Sequence, residues 1–268
     1  MTQAPQDPLV KADQLAHALE GCADDHGVAT PYLTSSILRM ITSLAAMPNS
    51  TFPDPPDYRV DYPVEPVLEP RATLTSQHGF FDVVKARASR RDFGAAPLAP
   101  ELLTSVLAWT FGRRDETIAY DWRDAPLRYI SSAGGLASID AYVLVLNVDG
   151  LDNGSYYYDY ERGLVPRVLA EMGETIASLV PGTAWLTRSS AIVVMVSDAS
   201  RVDHKYQSMG PKLSLLDAGV ALGHVELVTA ALELRSCILG SLPADRLVEL
   251  LGLEEHQVPL ASIAIGGR

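Results

Sequence analysis

Apolar residues along this chain of 268 residues fall into short continuous runs and into helical spacings. The run AIVVMVS at 191–197 predicts a strand buried on both faces, and DAYVLVLNV at 140–148 predicts a second strand. An Asp-Asn-Gly turn signal precedes a third predicted strand at 156–159. The remaining predicted elements are helices over 79–88, 99–112, 166–179, 211–235 and 243–251 and strands over 236–239 and 259–265.

The longest predicted helix, 211–235, carries apolar residues at helical spacing, and we expect this stripe to face the core. The stripe consists of Leu213, Leu216, Val220, Leu227, Ala231 and Leu234. The order of the elements predicts an α+β fold, in which helices flank a central, mostly antiparallel sheet.

The first part of the chain has a different character. Two helices are predicted over 11–24 and 31–47, and residues 48–70 then contain seven prolines. Proline removes backbone donors and restricts the residue before it, so we expect an extended arm without regular structure. The arm could be a linker, or it could wrap over another subunit. We therefore predict an N-terminal helical segment with a proline-rich arm over 1–77 and a main domain over 78–268.

Composition excludes several classes of partner. The net charge of −12 argues against nucleic acid and against an anionic membrane surface, because both attract basic patches. No continuous apolar run reaches the roughly 18 residues that span a bilayer, and no secretion signal is recognised. Two cysteines, far apart in the sequence, are expected to be free thiols in the cytoplasm.

A basic motif, Arg87–Phe93 with the sequence RASRRDF, follows the helix predicted over 79–88. Arg87, Ser89 and Arg91 could converge on a planar anionic ligand if the chain leaves helical geometry at Ser89. The alternative is a solvated basic helix end, where cations meet the carbonyl end of the helix dipole.

Three further segments could contact a ligand. Small residues at Ser131, Ser132, Ala133, Gly134 and Gly135, here named the glycine turn, would let the backbone approach a flat molecule. The pair Lys205–Tyr206 could transfer protons, and Leu239–Gly240 could present a backbone N–H after a short strand. The alternatives are an ordinary loop, an exposed charged loop and a simple turn. We also expect Asp217 to pair with a nearby Arg or Lys.

Taken in this order, the motifs resemble the nitroreductase-like flavoprotein superfamily, and within it the azoline oxidases of thiazole/oxazole-modified peptide biosynthesis. The basic motif resembles the family's Arg-x-Ser-x-Arg-x-Phe, and residues 131–140 (SSAGGLASID) resemble its Pro-Ser-x-Gly-Gly-Leu-Tyr-Pro-Ile-Glu. Lys205–Tyr206 falls on the Lys-Tyr pair associated with azoline oxidation. Residues 215–219 (LLDAG) resemble the family's Leu-Leu-Glu-x-Gly helix. The family often continues with Arg-Gly-Tyr-Arg where this chain has Met209–Lys212.

The resemblance implies a homodimer that binds FMN at the subunit interface and oxidises azolines in a precursor peptide delivered by a cyclodehydratase complex. It implies that Lys205 and Tyr206 are catalytic. It also implies cofactor contacts from the remaining candidates, namely Arg87, Ser89, Arg91, Ser131, Ser132, Ala133, Gly134, Gly135, Leu239 and Gly240. No metal is implied. The alternatives are a generic NAD(P)H-dependent nitro- or quinone-reductase and a flavin-free scaffold subunit of a biosynthetic complex.

Overall fold

A computed structural model describes residues 59–114, 127–179, 184–206, 209–240 and 242–268. The helices predicted over 11–24 and 31–47 and the first part of the arm lie outside these residues. Within the described ranges the helices are α1 Phe80–Ala86, α2 Pro100–Phe111, α3 Gly173–Leu179, α4 Ala199–Tyr206, α5 Gly210–Ala231 and α6 Ala244–Leu251. The strands are β1 Ile139–Val145, β2 Gly154–Asp159, β3 Gly163–Leu169, β4 Ala191–Asp198, β5 Arg235–Leu239 and β6 Gln257–Gly266.

The six strands form one sheet in the order β3-β2-β1-β4-β6-β5, and every neighbouring pair is antiparallel. The two most apolar runs of the sequence, β1 and β4, lie side by side in the middle, with Val143 opposite Val193. Both strands are buried along their whole length. The predicted α+β class with a central antiparallel sheet is confirmed.

The sheet has a hydrophobic layer on each face because alternate residues of a strand point to opposite sides. Val143 and Val193 pack with Leu107 of α2 and Val225 of α5 on one face. On the other face, the apolar cluster gathers side chains from the strands, from α3 and α6 and from the arm: Tyr142, Leu144, Ile192, Ile176, Leu251 and Tyr62.

The helix predicted over 166–179 is wrong before residue 173, because residues 166–169 belong to strand β3. A turn causes this difference: Asp159 accepts hydrogen bonds from the N–H groups of Glu161 and Arg162. Gly163 then adopts φ +109°, a conformation that favours glycine, and returns the chain alongside β2. Only Gly173–Leu179 is helical.

The apolar stripe predicted for the long helix is also wrong. Leu216 and Val220 are 57% and 43% exposed. The buried positions of α5 are mostly small or polar: Gly210, Ser214, Asp217, Ala218, Ala221, Leu222, Val225, Glu226 and Thr229. Small side chains allow close packing on the sheet and leave larger apolar ones outside. By length and composition α5 could cross a membrane, but its buried Asp217 and Glu226 are typical of a helix that packs within a protein.

Both edges of the sheet contact segments of the same chain. The end of the arm pairs with β3 through an isolated bridge between Leu68 and Leu164, and the basic motif forms a bridge to β5 at the other edge. Tyr62 of the arm is 6% exposed and packs against the sheet. The described part of the arm, from residue 59 onward, therefore covers its own chain, and it forms no helix or strand beyond the bridge at Leu68.

Candidate functional site

The basic motif leaves helical geometry two residues before the predicted position, at Arg87 rather than Ser89. Helix α1 ends at Ala86, and Ser89 then forms a parallel bridge with Ser236 of β5. The N–H of Arg90 donates to the carbonyl of Ser236 at 2.7 Å. An ideal extended segment would align Arg87, Ser89 and Arg91 on one side. Here Arg87 instead reaches α5, on one face of the sheet, whereas Arg91 lies against Trp185, which packs with the apolar cluster of the other face. The pairing with Ser236 brings the motif to the strand that ends at Leu239–Gly240.

Two arginines of the motif have defined partners. Arg87 Nη1 lies 3.2 Å from Glu226 Oε1 on α5, and the carboxylate is largely buried. An arginine has five N–H donors, so one such contact orients the side chain and leaves others for a ligand. The Arg91 guanidinium lies 5.5 Å from the ring centre of Trp185, which also stacks with Phe93.

The glycine turn and the Lys-Tyr pair meet directly, although about 70 residues separate them in the sequence. Gly134 and Gly135 have φ of +61° and +71°, in the left-handed region. A Cβ added to Gly134 would lie 2.6 Å from the Tyr206 hydroxyl oxygen and 3.1 Å from Lys205 Nζ. A side chain at position 134 would therefore force the Tyr206 hydroxyl or the Lys205 amine to move. Lys205 and Tyr206 are the last residues of α4, a separate short helix before α5.

Asp217 of α5 fixes the glycine turn. Both oxygens of its carboxylate accept the N–H of Ala133, at 3.1 and 2.9 Å, and one also accepts the Ser138 hydroxyl at 2.6 Å. We expected Asp217 to pair with an Arg or Lys, but these bonds join it to the backbone and a hydroxyl of the loop. Its sequence neighbours give no signal for this contact.

A buried ionic cluster supports the same loop, and sequence reasoning missed it. Arg201 of α4 is fully buried and contacts Asp140 at 2.8 Å and Asp198 at 3.3 Å. It also donates to the carbonyl of Ala137 at 3.0 Å, which ties α4 to the end of the loop. Burial lowers the pKa of Arg201, whereas the carboxylates of Asp140 and Asp198 raise it, and the net change is a rise. Charged residues spaced along a short helix do not reveal such burial in advance.

The candidate residues thus form two clusters. The basic motif and the end of β5 form one, and the glycine turn with Lys205–Tyr206 forms the other. Their contacts on α5, Glu226 and Asp217, are nine residues apart, which is two and a half turns and about 13 Å. The two contacts therefore lie on opposite sides of this helix. Within the described ranges, no group of His, Cys, Asp and Glu side chains gathers in the manner of a metal site.

Comparison with known proteins identifies the family. The sequence pattern of the nitroreductase family matches residues 84–267, which is more than half of the chain. The chain belongs to the nitroreductase family. The match spans both clusters, and it makes the protein a nitroreductase-family oxidoreductase with a nitroreductase-like fold. A candidate nitroreductase of Methanocaldococcus jannaschii is 24% identical over 186 residues, which cover 69% of this chain and 89% of that protein.

Solved structures share the fold. A candidate nitroreductase from Ralstonia eutropha superimposes with a TM-score of 0.59 at 20% identity, covering 78% of this chain and 96% of that one. A chain of the E. coli microcin synthetase McbBCD complex, solved with truncated pro-MccB17 bound, gives 0.58 at 15% identity and covers 97% of both chains. A candidate nitroreductase from Anabaena variabilis gives 0.56 at 19% identity and covers 72% of this chain, which spans 43% of its length.

Proposed function

We propose that this protein is an FMN-dependent oxidase that converts azoline rings of a ribosomally made precursor peptide into azoles. The observation that carries the proposal is the contact of Lys205 and Tyr206 with Gly134. A nitroreductase that only passes electrons between nicotinamide and an acceptor needs no amine–phenol pair at this place. The match to a chain of the microcin synthetase complex supports the proposal, because it extends over 97% of both chains.

The described residues fit FMN. Arg87, Ser89 and Arg91 offer hydrogen-bond donors within five residues of the segment beside β5, a set suited to a phosphate and the polar edge of a flavin. A Cβ built on Gly240, at the end of the neighbouring strand, would meet no described atom within 4 Å, so the backbone is open there. When bound, FMN would supply a two-electron acceptor for the hydride that leaves the azoline, and dioxygen would reoxidise it.

The chain's own residues supply the proton chemistry. Lys205 or Tyr206 removes the acidic proton from the ring carbon next to the carbonyl, while the second hydrogen leaves that ring with its electron pair. Loss of one proton and one hydride gives the aromatic azole. The role of Gly134 is to let the amine and the phenol lie against the main chain, which fixes their positions relative to the substrate.

We propose that the protein is a homodimer with two sites, each built from both subunits. The two clusters contact opposite sides of α5, so one chain supplies the basic motif and the other the glycine turn of the same site. Apolar side chains that a partner would cover are exposed on α1 and α5: Phe80, Phe81 and Val84, and Leu215, Leu216 and Val220. The precursor peptide would be delivered in the cytoplasm by a cyclodehydratase complex.

Substitution of the Lys-Tyr pair tests the proposal. Lys205→Ala and Tyr206→Phe are expected to keep bound FMN and thermal stability, and to lower azoline oxidation by about a hundredfold, the scale for losing a positioned acid or base. The double variant should be little slower than the slower single variant, because the two side chains act as a unit. Mass spectrometry of a thiazoline peptide measures the product. Oxidation at the wild-type rate in both single variants would remove the pair from the mechanism.

A generic NAD(P)H-dependent reductase is the second candidate, and the relatives described as nitroreductases favour it. Rapid reduction of nitro compounds or quinones by NAD(P)H, with no change in a thiazoline peptide, would establish it. A flavin-free scaffold subunit is the third candidate, and Met209–Lys212 in place of the family's frequent Arg-Gly-Tyr-Arg is its motivation. A purified protein that stays colourless after incubation with FMN would support that role.

A further inference from the structure

We propose that Asp217 is a positioning residue for the proton transfer, acting through the glycine turn on Lys205 and Tyr206. This inference rests on the function proposed above and assigns a role in it to a further residue. Asp217, on α5, binds the glycine turn, and the glycine turn lies against the Lys205 amine and the Tyr206 phenol. The carboxylate would therefore set the position of the backbone against which the pair rests.

The hydrogen bonds within the turn are mostly local, and Asp217 links the turn to α5. The N–H of Gly135 donates to the carbonyl of Ser132, and that of Leu136 donates to the carbonyl of Ala133. Asp217, in contrast, accepts the Ala133 N–H with both carboxylate oxygens and the Ser138 hydroxyl with one. Bonds to an ionised carboxylate are shorter and stronger than neutral ones. One side chain therefore holds both Ala133 within the glycine turn and Ser138 just beyond it.

The held segment is conformationally unusual. Gly134 and Gly135 are left-handed, and so is Ala137 with φ +48°. Non-glycine residues in this region carry strain that persists only when the surrounding structure fixes it. Asp217 is 7% exposed and lies on the longest described helix, so it is a rigid anchor for such a segment. Releasing it would allow the turn to relax and to move away from Tyr206.

A purely structural role is the competing explanation, and a matched control separates the two. Ser105 of α2 is also a buried side chain whose oxygen accepts two bonds, from the N–H groups of Thr73 and Leu74. These contacts lie in the segment that follows the prolines, outside both candidate clusters. Ser105→Ala therefore reports what the loss of a comparable buried anchor does to the fold alone.

The experiment compares Asp217→Asn and Asp217→Ala with Ser105→Ala as FMN-loaded full-length proteins. For Asp217→Ala we expect about a tenfold or larger loss in kcat for a thiazoline peptide, with KM within about twofold, since small displacements near reacting groups are costly. Asp217→Asn keeps the shape and one acceptor oxygen and should recover part of the rate. Ser105→Ala should lower the melting temperature and leave kcat unchanged.

Hydrogen–deuterium exchange gives a readout that needs no azoline substrate. Asp217→Ala should speed exchange in a peptide covering 131–137 and leave the central strand at 139–145 protected, and Ser105→Ala should change neither. If Asp217→Ala does not fold, Asp217→Asn carries the same comparison. Unchanged exchange at the turn, or a kcat equal to that of the wild type, would overturn the inference. If the wild-type protein leaves thiazolines unoxidised, faster exchange at the turn in Asp217→Ala would still support the anchoring of the turn while the proposed function is rejected.

Discussion

Replacing Gly134 with alanine should disrupt the site in a way that the structure makes quantitative. The residue has φ +61°, and a left-handed alanine costs about 1–2 kcal/mol. The added Cβ would also lie 2.6 Å from the Tyr206 hydroxyl oxygen, whereas ordinary contacts begin at 3.4 Å. The hydroxyl must therefore move by about 0.8 Å, the difference between these distances. A misplacement of about 1 Å can cost about a hundredfold in rate.

Gly150 provides the matched control. It has φ +69°, and a Cβ added there would meet nothing within 4 Å. Gly150→Ala should therefore show the same conformational cost in thermal or urea unfolding, with azoline oxidation unchanged. Gly134→Ala should lower kcat by about ten- to a hundredfold. Equal rates in the two variants, at equal losses of stability, would refute the idea that Tyr206 and Lys205 must lie against this turn.

Further predictions concern the cofactor, the assembly and pH. Arg87→Ala should weaken FMN binding about ten- to a hundredfold in fluorescence titration, because a charge-assisted contact is lost. Arg90→Ala should have little effect, because the family motif Arg-x-Ser-x-Arg leaves this position without a cofactor contact, and the reverse order would show this assignment to be wrong. Leu216→Glu places a charge on the exposed apolar part of α5, so light scattering should detect monomers, and an unchanged dimer would locate the interface elsewhere. Burial raises the pKa of Asp203, and the nearby charge of Asp198 raises it further, to about 7. The folded protein therefore keeps a proton that the unfolded chain has released, and the free energy of unfolding should fall as the pH rises from about 4 to about 7. Asp203→Asn should flatten this pH dependence and raise the free energy of unfolding at pH 8 by a few kcal/mol, on the order of 1.4 kcal/mol per pKa unit. Urea unfolding measures this dependence, and an unchanged slope would contradict the raised pKa of Asp203.

The central strands can be predicted from the sequence because burial on both faces demands an apolar residue at nearly every position. Strand β3 cannot be predicted in this way. Its seven residues include Pro166, and its last two residues are exposed. Its pairing also depends on the turn at Asp159 and on the arm. The predicted range of helix α5 is close to the observed one. Close packing of small residues such as Ala221 decides which side of α5 faces the sheet. The spacing of apolar residues alone does not contain that information.

The candidate site shows the same division. The arginines of the basic motif stand out by their charge alone, but the helix before them ends earlier than predicted, and the extended course of the motif depends on its pairing with β5. The contact of Gly134 with Lys205 and Tyr206 joins segments about 70 residues apart, so only the resemblance to a family suggests that they share a site. The bonds of Asp217 and the burial of Arg201 depend on tertiary packing, and no periodicity distinguishes these residues from ordinary charged positions on a helix.

The most direct test of the proposed function is an anaerobic titration of the FMN-loaded protein with a thiazoline-containing peptide. Absorbance of the oxidised flavin should fall as the peptide is added, without NAD(P)H, and mass spectrometry should show a peptide lighter by two hydrogen atoms. Admission of oxygen should restore the absorbance. A flavin that stays oxidised in the presence of the peptide, yet is reduced at once by NAD(P)H, would contradict azoline oxidation and identify the protein as a generic reductase of its family.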